Sequence, residues 1–196
     1  MTHAINDETL ATLFRDARSY HKWRDKPVSP ALLMALYDLL RWGPTAYNAS
    51  PAHILFLTSK EAKEKLKPSL NPVNVDQCAT APAVAVLGYD LGFPDTLPKL
   101  TPAMPGLKDR MTDPAAIEKL AVLSATLQEG YFVLAARAVG LDCCPLSAFD
   151  AAAVTRDFFA GTKVKANLLC TLGYGDPAGL KPRAPRLSFD EACKIL

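Results

Sequence analysis

The sequence has 196 residues and a net charge of +2, a balance too mild to attract nucleic acid or an anionic membrane. Its 49% hydrophobic and 21% charged residues are typical of a globular protein, and the length fits a single domain spanning residues 1–196. No apolar stretch approaches the roughly 18 residues that a membrane span requires, and residues 1–10 carry no basic, apolar leader, so we expect a cytoplasmic protein.

Apolar patterns predict helices that alternate with strands along the chain. Helices are indicated by apolar residues at spacings of three and four, and strands by short apolar runs. In chain order, the predicted elements are helices over 8–18 and 31–42, a strand over 53–57, helices over 60–67 and 74–80, a strand over 83–89, a helix over 115–139, a strand over 141–144, a helix over 151–159, a strand over 167–174 and a helix from 189. Asp7, Ser29 and Asp150 are the predicted N-caps. This alternation is typical of an α/β or α+β sheet covered on both faces.

Two long stretches have an unusual composition. Residues 91–114 contain five prolines, which preclude long regular structure and predict an excursion from the domain or a lid over a site. Residues 115–139 give the longest helical pattern, and their apolar residues, among them Leu123, Leu127 and Tyr131, spread beyond one stripe. We therefore predict a central and largely buried helix.

Several common catalytic motifs are missing from the sequence. It has no GxxxxGK[ST] or GxGxxG pattern, no GxSxG and no HExxH, so it predicts no P-loop, Rossmann site, serine hydrolase or metal site. His3, His21 and His53 are the only histidines, and the five cysteines form no CxxC pair, as expected for reduced thiols. A thiol enzyme built on Cys143 or Cys144 stays open, beside the simpler interpretation of buried thiols without a catalytic role.

Two basic clusters lie far apart in the sequence. The first occupies residues 18–24, and the second occupies residues 181–186, where prolines separate the cations. Arginine suits bidentate donation to phosphate, so the two clusters would make a phosphate pocket if the fold brings them together. The alternative is two separate basic surfaces in contact with solvent. The polar turn over residues 45–50 either offers donors to a ligand or merely connects a helix to a strand.

Five short segments, taken in order, carry a family pattern. They are the RSYHKW of residues 18–23 with PV at 27–28, the PTAYNASP of 44–51, Asn74 and Gln77 before AP at 81–82, GL at 140–141 with PLSAFD at 145–150, and LGY at 172–174 with KPRAP at 181–185. Together they resemble the nitroreductase family along nearly the whole chain. Trp23, RWGPT at 41–45, NLL at 167–169 and PRLSFDEAC at 185–193 resemble, within that family, the malonic semialdehyde reductases of pyrimidine degradation.

The resemblance implies a fold and a cofactor. The fold would be α+β, with a central, mostly antiparallel sheet flanked by helices, in an intertwined homodimer with FMN at the subunit interface. The cofactor-binding residues implied by the motifs are Arg18, Ser19, Lys181 and Arg183 at the phosphate, His21 near the flavin, Asn74 and Gln77 at the ring, Pro145, Leu146, Ser147 and Ala148 lining the ring, and Pro44, Thr45, Ala46, Asn48 and Ser50 from the other subunit. A backbone N–H near Ser147 would point at flavin N5.

The resemblance also implies a reaction. NADH or NADPH would reduce FMN and leave, and an aldehyde, here malonic semialdehyde, would then take a hydride from N5 and become 3-hydroxypropanoate. Tyr47 is the candidate proton donor, and Lys108 or Arg110 the candidate cation for the substrate carboxylate. A broad nitro- or quinone reductase and a non-catalytic FMN-binding protein are the alternatives.

Some positions differ from the usual family pattern. Ala17 stands where an arginine often precedes the first phosphate-binding residues, which puts one phosphate contact in doubt. Ser50 replaces the usual glutamine, Ala52 the usual tryptophan, and Ala148 a frequent glycine. We therefore expect a less cationic and differently shaped pocket than in typical family members.

Overall fold

The computed structural model describes residues 4–196, so His3 lies outside the described residues. Its helices and strands are α1 (Asp7–Leu10), α2 (Pro30–Leu40), β1 (Ala52–Leu57), α3 (Lys60–Leu66), α4 (Val75–Thr80), β2 (Ala83–Asp90), α5 (Leu97–Leu100), α6 (Leu107–Arg110), α7 (Pro114–Ala138), β3 (Asp142–Leu146), α8 (Ala151–Phe158), β4 (Val164–Gly173) and α9 (Phe189–Ala192). The predicted caps Ser29 and Asp150 are confirmed, because their side chains accept hydrogen bonds from the N–H groups of Leu32 and Ala153.

The four strands form one antiparallel sheet in the order β1-β2-β4-β3. On β2, alternate residues point to opposite faces, so Ala83, Ala85 and Leu87 join one buried cluster while Val84 and Val86 join another. Helices α2 and α7 cover the first face, and α3, α4 and α8 pack on the second. The predicted sheet with both faces covered is confirmed.

The predicted burial of β1 is wrong. This strand lies at the edge of the sheet, and its side chains alternate in exposure, with His53 and Leu55 exposed. Because only β2 flanks it, β1 has less cover than β2, whose residues 83–88 are all buried. The continuous apolar run of β1 therefore does not signal a strand buried on both faces.

The longest helix, α7, buries a different face from the one its leucines suggested. Its buried residues are mainly small or polar, namely Ala121, Ser124, Ala125, Gln128, Glu129, Phe132, Ala135 and Ala136. Leu123 and Leu127 are 59% and 47% exposed, because small side chains let the opposite face approach the sheet and α2 closely. Across residues 4–196, no helix combines the length and apolar character that crossing a bilayer requires.

The N-terminal helix differs from its prediction at both ends. Asn6, and not Asp7, is the N-cap, because its Oδ1 accepts a hydrogen bond of 2.8 Å from the Thr9 N–H. The helix continues from Leu10 as a π-helical turn and ends at Arg15 instead of Arg18. It stops there because the chain then straightens to pair Ser19 with β3.

The proline-rich stretch folds into short helical pieces. Residues 91–114 contain one 3₁₀ turn and the four-residue helices α5 and α6, which agrees with the predicted lack of long regular structure. Phe93, Leu97 and Leu107 are buried against Ala49 and Ala121. This excursion therefore packs on α7 and on the loop that precedes β1.

Candidate active site

The fold brings the two basic clusters together around one cavity of about 520 Å³. The cavity lies between the turn after α1 and the C-terminal tail, and the end of α7 forms part of its wall. Its lining residues are Phe14, Ala17, Arg18, Ser19, His21, Arg137, Lys181, Arg183, Ala184 and Arg186. Of the residues predicted to hold a phosphate, Arg18, Ser19, Lys181 and Arg183 all line it.

Arginine side chains fasten the tail to the N-terminal turn. Arg18 Nη2 donates a hydrogen bond of 2.5 Å to the Lys181 carbonyl, across 163 sequence positions. In the other direction, Arg183 Nη2 donates bonds of 2.8 Å to the carbonyls of Arg15 and Ala17. These reciprocal bonds hold cations from both segments at one cavity.

The sheet fixes the position of the N-terminal turn. Ser19 pairs with Cys143 on β3, and Trp23 pairs with Gly175 just beyond β4. A side chain at Gly175 would overlap the Tyr20 ring, so only glycine permits this close approach. The turn is thereby held against the ends of two neighbouring strands.

The cavity concentrates positive charge, and no acidic side chain of residues 4–196 forms an ion pair within 4.0 Å with the cations that line it. Its five cations are Arg18, Arg137, Lys181, Arg183 and Arg186. Within the described part of the chain, every carboxylate–cation pair closer than 4.0 Å involves other lysines, arginines or histidines. A cluster of this kind, on a protein of small net charge, is suited to an anion with several acceptor oxygens, such as a phosphate.

A chain of polar contacts leads from the cavity towards the sheet. His21 Nδ1 lies 2.7 Å from Gln77 Oε1, and Gln77 Nε2 donates to Thr171 Oγ1 at 2.9 Å. Gln77 is buried on α4, and Thr171 lies on the central strand β4. His21 and Gln77, both predicted to meet the flavin, are therefore direct neighbours.

The turn after β3 lies beside Asn74. Asn74 Nδ2 donates a hydrogen bond of 3.3 Å to the Ala148 carbonyl, and the backbone N–H of Asn71 donates to the same oxygen. The Thr171 hydroxyl, which accepts from Gln77, also donates to the Cys144 carbonyl on β3. The predicted ring-contacting residues at 74, 77 and 145–148 thus occupy one continuous region.

The polar loop before β1 has a strained backbone. Tyr47, Asn48 and Ser50 have φ angles of 55°, 53° and 44°, which non-glycine residues seldom adopt. The Asn48 side chain donates to the Leu100 carbonyl at 2.9 Å, and the Thr101 hydroxyl donates to the Tyr47 carbonyl. Strain that is held by several bonds in this way often marks a functional loop.

This loop does not reach the basic cavity of its own chain. Ala46 N–H donates to Ser124 on α7, Asn48 donates to Leu100 in the excursion, and Ala49 packs in a cluster with residues of both, among them Ala121 and Phe93. In residues 4–196, no hydrogen bond joins residues 44–50 to a residue that lines the cavity. The predicted site residues therefore fall into two separate groups on one chain.

The cysteines at the third strand are buried beneath the site. A hydrogen bond with Cys170 and the nearby Arg137 charge lower the pKa of the Cys143 thiol, while burial raises the pKa of Cys144. Both thiols are shielded from solvent, and His21 is engaged with Gln77. These contacts weigh against the alternative of a thiol enzyme, which needs an accessible nucleophile beside a base.

Arg137 is the cavity residue that sequence reasoning missed. The sequence shows it only as an interruption of the apolar stretch in α7. A single cation in the last turn, after the apolar stretch that begins at Tyr131, is the signal that points to it, since this position of a helix favours positive charge.

The chain is similar in sequence to a known family and to individual proteins of it. The sequence profile of the Nitroreductase family matches residues 14–176. A protein from Leptothrix cholodnii named "Putative NADH dehydrogenase/NAD(P)H nitroreductase" is 49% identical over 197 residues, which cover 100% of both chains.

Solved structures agree on the fold. A Bacillus subtilis protein, "putative nitroreductase ydfN", has a TM-score of 0.85 and 19% identity, with 97% of this chain and 100% of that one covered. An Exiguobacterium sibiricum protein, described in the same terms and solved in complex with FMN, has a TM-score of 0.82 and 20% identity, with 100% of both chains covered. With the sequence match spanning most of its length, the chain belongs to the nitroreductase family.

Proposed function

We propose that this protein is a single-domain, FMN-dependent NAD(P)H oxidoreductase. The observation that carries the proposal is the cavity where five cations from three separate segments meet without an acidic partner among the described residues. A phosphate monoester fits this donor set, because guanidinium groups bind its oxygens in pairs. The FMN complex of the Exiguobacterium sibiricum relative and the NAD(P)H in the name of the Leptothrix relative support the choice of cofactor and donor.

In this proposal, Arg18, Ser19, Lys181 and Arg183 hold the phosphate. His21 and Gln77 lie between the cavity and the sheet, and Asn74 lies beside the turn at 145–148, so these residues would bind and orient the ring. Bound FMN supplies the hydride chemistry, while NADH or NADPH is the donor. The protein's own contribution is to hold the ring in a fixed place and to exclude water.

We further propose that the active protein is a homodimer. Within residues 4–196, the loop at 44–50 forms no hydrogen bond to a residue of its own basic cavity, which supports a role for it in the site of a second copy. Helices α2 and α7 leave large apolar side chains exposed, among them Met34, Leu123 and Leu127. Exposed apolar patches on a globular protein commonly mark an interface.

The substrate we propose is malonic semialdehyde, which would be reduced to 3-hydroxypropanoate. The segments at 41–45, 167–169 and 185–193 support this assignment through their resemblance to the reductases of pyrimidine degradation. Of the two candidate cations for the substrate carboxylate, Lys108 lies 3.1 Å from Asp95. Arg110 is exposed and makes no ion pair within 4.0 Å with the described residues, so it is the stronger candidate.

The second candidate is a nitro- or quinone reductase of broad specificity. The name of the Leptothrix relative, which includes NAD(P)H nitroreductase, favours it. Both candidates share the cofactor and the donor, so they differ only in the acceptor. Parallel measurement of kcat/KM for malonic semialdehyde and for a nitroarene decides between them.

The purified protein should be yellow, and it should oxidise NADH or NADPH when an acceptor is added. The visible spectrum before and after FMN addition tests cofactor binding, and light scattering on the same sample tests the dimer. Consumption of the nicotinamide at 340 nm tests activity. A colourless monomer that takes up no added FMN would contradict the proposal, and a yellow protein that leaves NAD(P)H intact would reduce it to a flavin-binding protein.

Replacing Tyr47 with phenylalanine should lower aldehyde reduction by about 100-fold or more, since general-acid groups typically contribute that much. Tyr47 is 46% exposed, and its hydroxyl makes no hydrogen bond within residues 4–196, so it is available to a substrate. FMN affinity should stay unchanged. Steady-state kinetics with Tyr37→Phe as control checks this, because Tyr37 is also an exposed tyrosine but lies on α2. Unchanged turnover would remove Tyr47 from the mechanism.

A further inference from the structure

We propose that Arg137 is an additional ligand of the cofactor phosphate, which supplies the positive charge that is lost where Ala17 replaces an arginine. This inference rests on the proposed FMN function and extends it to a residue outside the known motifs of the resemblance. Arg137 and Ala17 line the same cavity, although they come from the end of α7 and from the turn after α1. The charge would therefore be provided by a different segment of the chain.

The contacts of Arg137 leave most of its donors unused. Its Nη1 donates a hydrogen bond of 2.8 Å to the Leu13 carbonyl, and its buried Nε has no hydrogen-bond partner among residues 4–196. The guanidinium also contacts the Cys143 thiol, because its charge and a hydrogen bond from it help to lower the pKa of Cys143. A guanidinium has five N–H groups, so one bond to a carbonyl and a contact with a thiol, which is a weak acceptor, do not account for this cation in a partly buried wall.

Nearby carboxylates do not neutralise Arg137. Asp16 and Asp142 line a neighbouring hollow with it, yet neither forms an ion pair with it within 4.0 Å. Asp142 is engaged elsewhere, because its Oδ2 accepts a bond of 2.8 Å from the Gly175 N–H. An anion in the cavity is the partner that would satisfy the remaining donors.

Arg137 is better held than Arg186, the other unassigned arginine of the cavity. Among the described residues, Arg186 Nη1 donates only to the carbonyls of Ala184 and Pro185, which belong to its own exposed tail segment. Arg137 projects from the last turn of the longest helix, whose Ala135 and Ala136 are buried in the core. A rigid element positions a ligand more accurately than a loop does.

The test compares the affinities of the apoprotein for FMN and for riboflavin, which lacks the phosphate. Titrations that follow flavin fluorescence are made with the wild type, Arg137→Gln, Arg137→Lys and the control Arg156→Gln, whose exposed arginine pairs with Asp157 on α8. Arg137→Gln should raise the Kd for FMN about 10- to 100-fold, the usual range for a charged hydrogen bond. The Kd for riboflavin should not change, and Arg137→Lys should recover part of the FMN affinity.

Each outcome bears on a different claim. If Arg137→Gln weakens FMN and riboflavin equally, Arg137 acts only by holding Leu13, and the inference is overturned. Unchanged FMN affinity in both Arg137 variants would overturn it as well. If the wild type binds neither flavin, the proposed function fails together with the inference. If the wild type binds FMN tightly and the Arg137 variants bind it equally well, only the inference fails. Circular dichroism shows whether each variant is folded. If Arg137→Gln does not fold, the Kd values of Arg137→Lys for FMN and riboflavin provide the test.

Discussion

Replacing Arg183 with alanine should weaken FMN binding by about 100- to 1,000-fold, the largest effect we expect from a single cavity residue. Two charged hydrogen bonds of about 1.5–3 kcal/mol each disappear with the guanidinium, as does a proposed phosphate contact. The bonds are those to the carbonyls of Arg15 and Ala17, which fasten the tail to the N-terminal turn. Flavin fluorescence titration of the apoprotein measures the change.

Arg186→Ala is the matched control for this variant. Arg186 lies three positions further along the same tail, but within the described part of the chain its guanidinium donates only to the neighbouring carbonyls of Ala184 and Pro185. We therefore expect a much smaller loss of FMN affinity than for Arg183→Ala. Equal losses for the two would mean that only the number of positive charges matters, and wild-type affinity in Arg183→Ala would place the phosphate elsewhere.

The second large effect concerns stability, which Glu129 should make dependent on pH. Glu129 is 4% exposed; its Oε2 accepts a bond of 2.7 Å from Asn167, and its Oε1 has no hydrogen-bond partner in the described residues. Burial raises the pKa of Glu129 to about 7, from an ordinary value of 4.5. The folded state therefore holds this proton more tightly than the unfolded state does.

The sign of the effect follows from that difference. The stabilising contribution of protonated Glu129 is complete below about pH 4.5 and is lost as the pH rises through about 7. A difference of about 2.5 pKa units corresponds to a loss on the order of 3 kcal/mol between about pH 4.5 and pH 8. Urea unfolding at several pH values across this range measures the free energy of unfolding.

Glu129→Gln should remove this pH dependence and make the protein more stable than the wild type at pH 8. The amide keeps an oxygen for Asn167 without a charge to bury. Glu118→Gln is the control on the same helix: a hydrogen bond from Lys165 and one from Tyr89 lower the pKa of Glu118, so its contribution has the opposite sign. The same stability difference between Glu129→Gln and wild type at pH 5 and pH 8 would show that Glu129 titrates normally.

Local features of the fold could be predicted from the sequence. Ser29 and Asp150 cap their helices as predicted, because a cap depends on residues only three positions away. The apolar runs of β2 and β4 predict buried strands, and both strands lie in the middle of the sheet, where both faces are covered. The outward position of Leu123 and Leu127 could not be predicted, because it depends on which face of α7 the sheet and α2 occupy.

The residues of the candidate site likewise come together only through tertiary packing, which the sequence does not show. The composition of residues 18–24 and 181–186 is compatible with a phosphate pocket but by itself favours two separate solvated surfaces, and only the fold shows that the two segments meet. Arg137 could not be found by motif, since it reaches the cavity only through tertiary packing. The positive φ angles of Tyr47 and Asn48 could not be predicted either, because the usual sequence signal for such angles is a glycine and this turn has none.

The bond between Arg18 and the Lys181 carbonyl has a consequence for the lifetime of the protein. It closes a loop of 163 positions, and closure of so long a loop is opposed by chain entropy. A dianion bound between residues near 18 and residues near 181 would link these two segments of the chain reversibly. At a flavin concentration of about 100 times Kd, binding to the folded state would add roughly 2.7 kcal/mol to the free energy of unfolding. Cells short of flavin would then contain less of the protein, because the flavin-free form unfolds more readily.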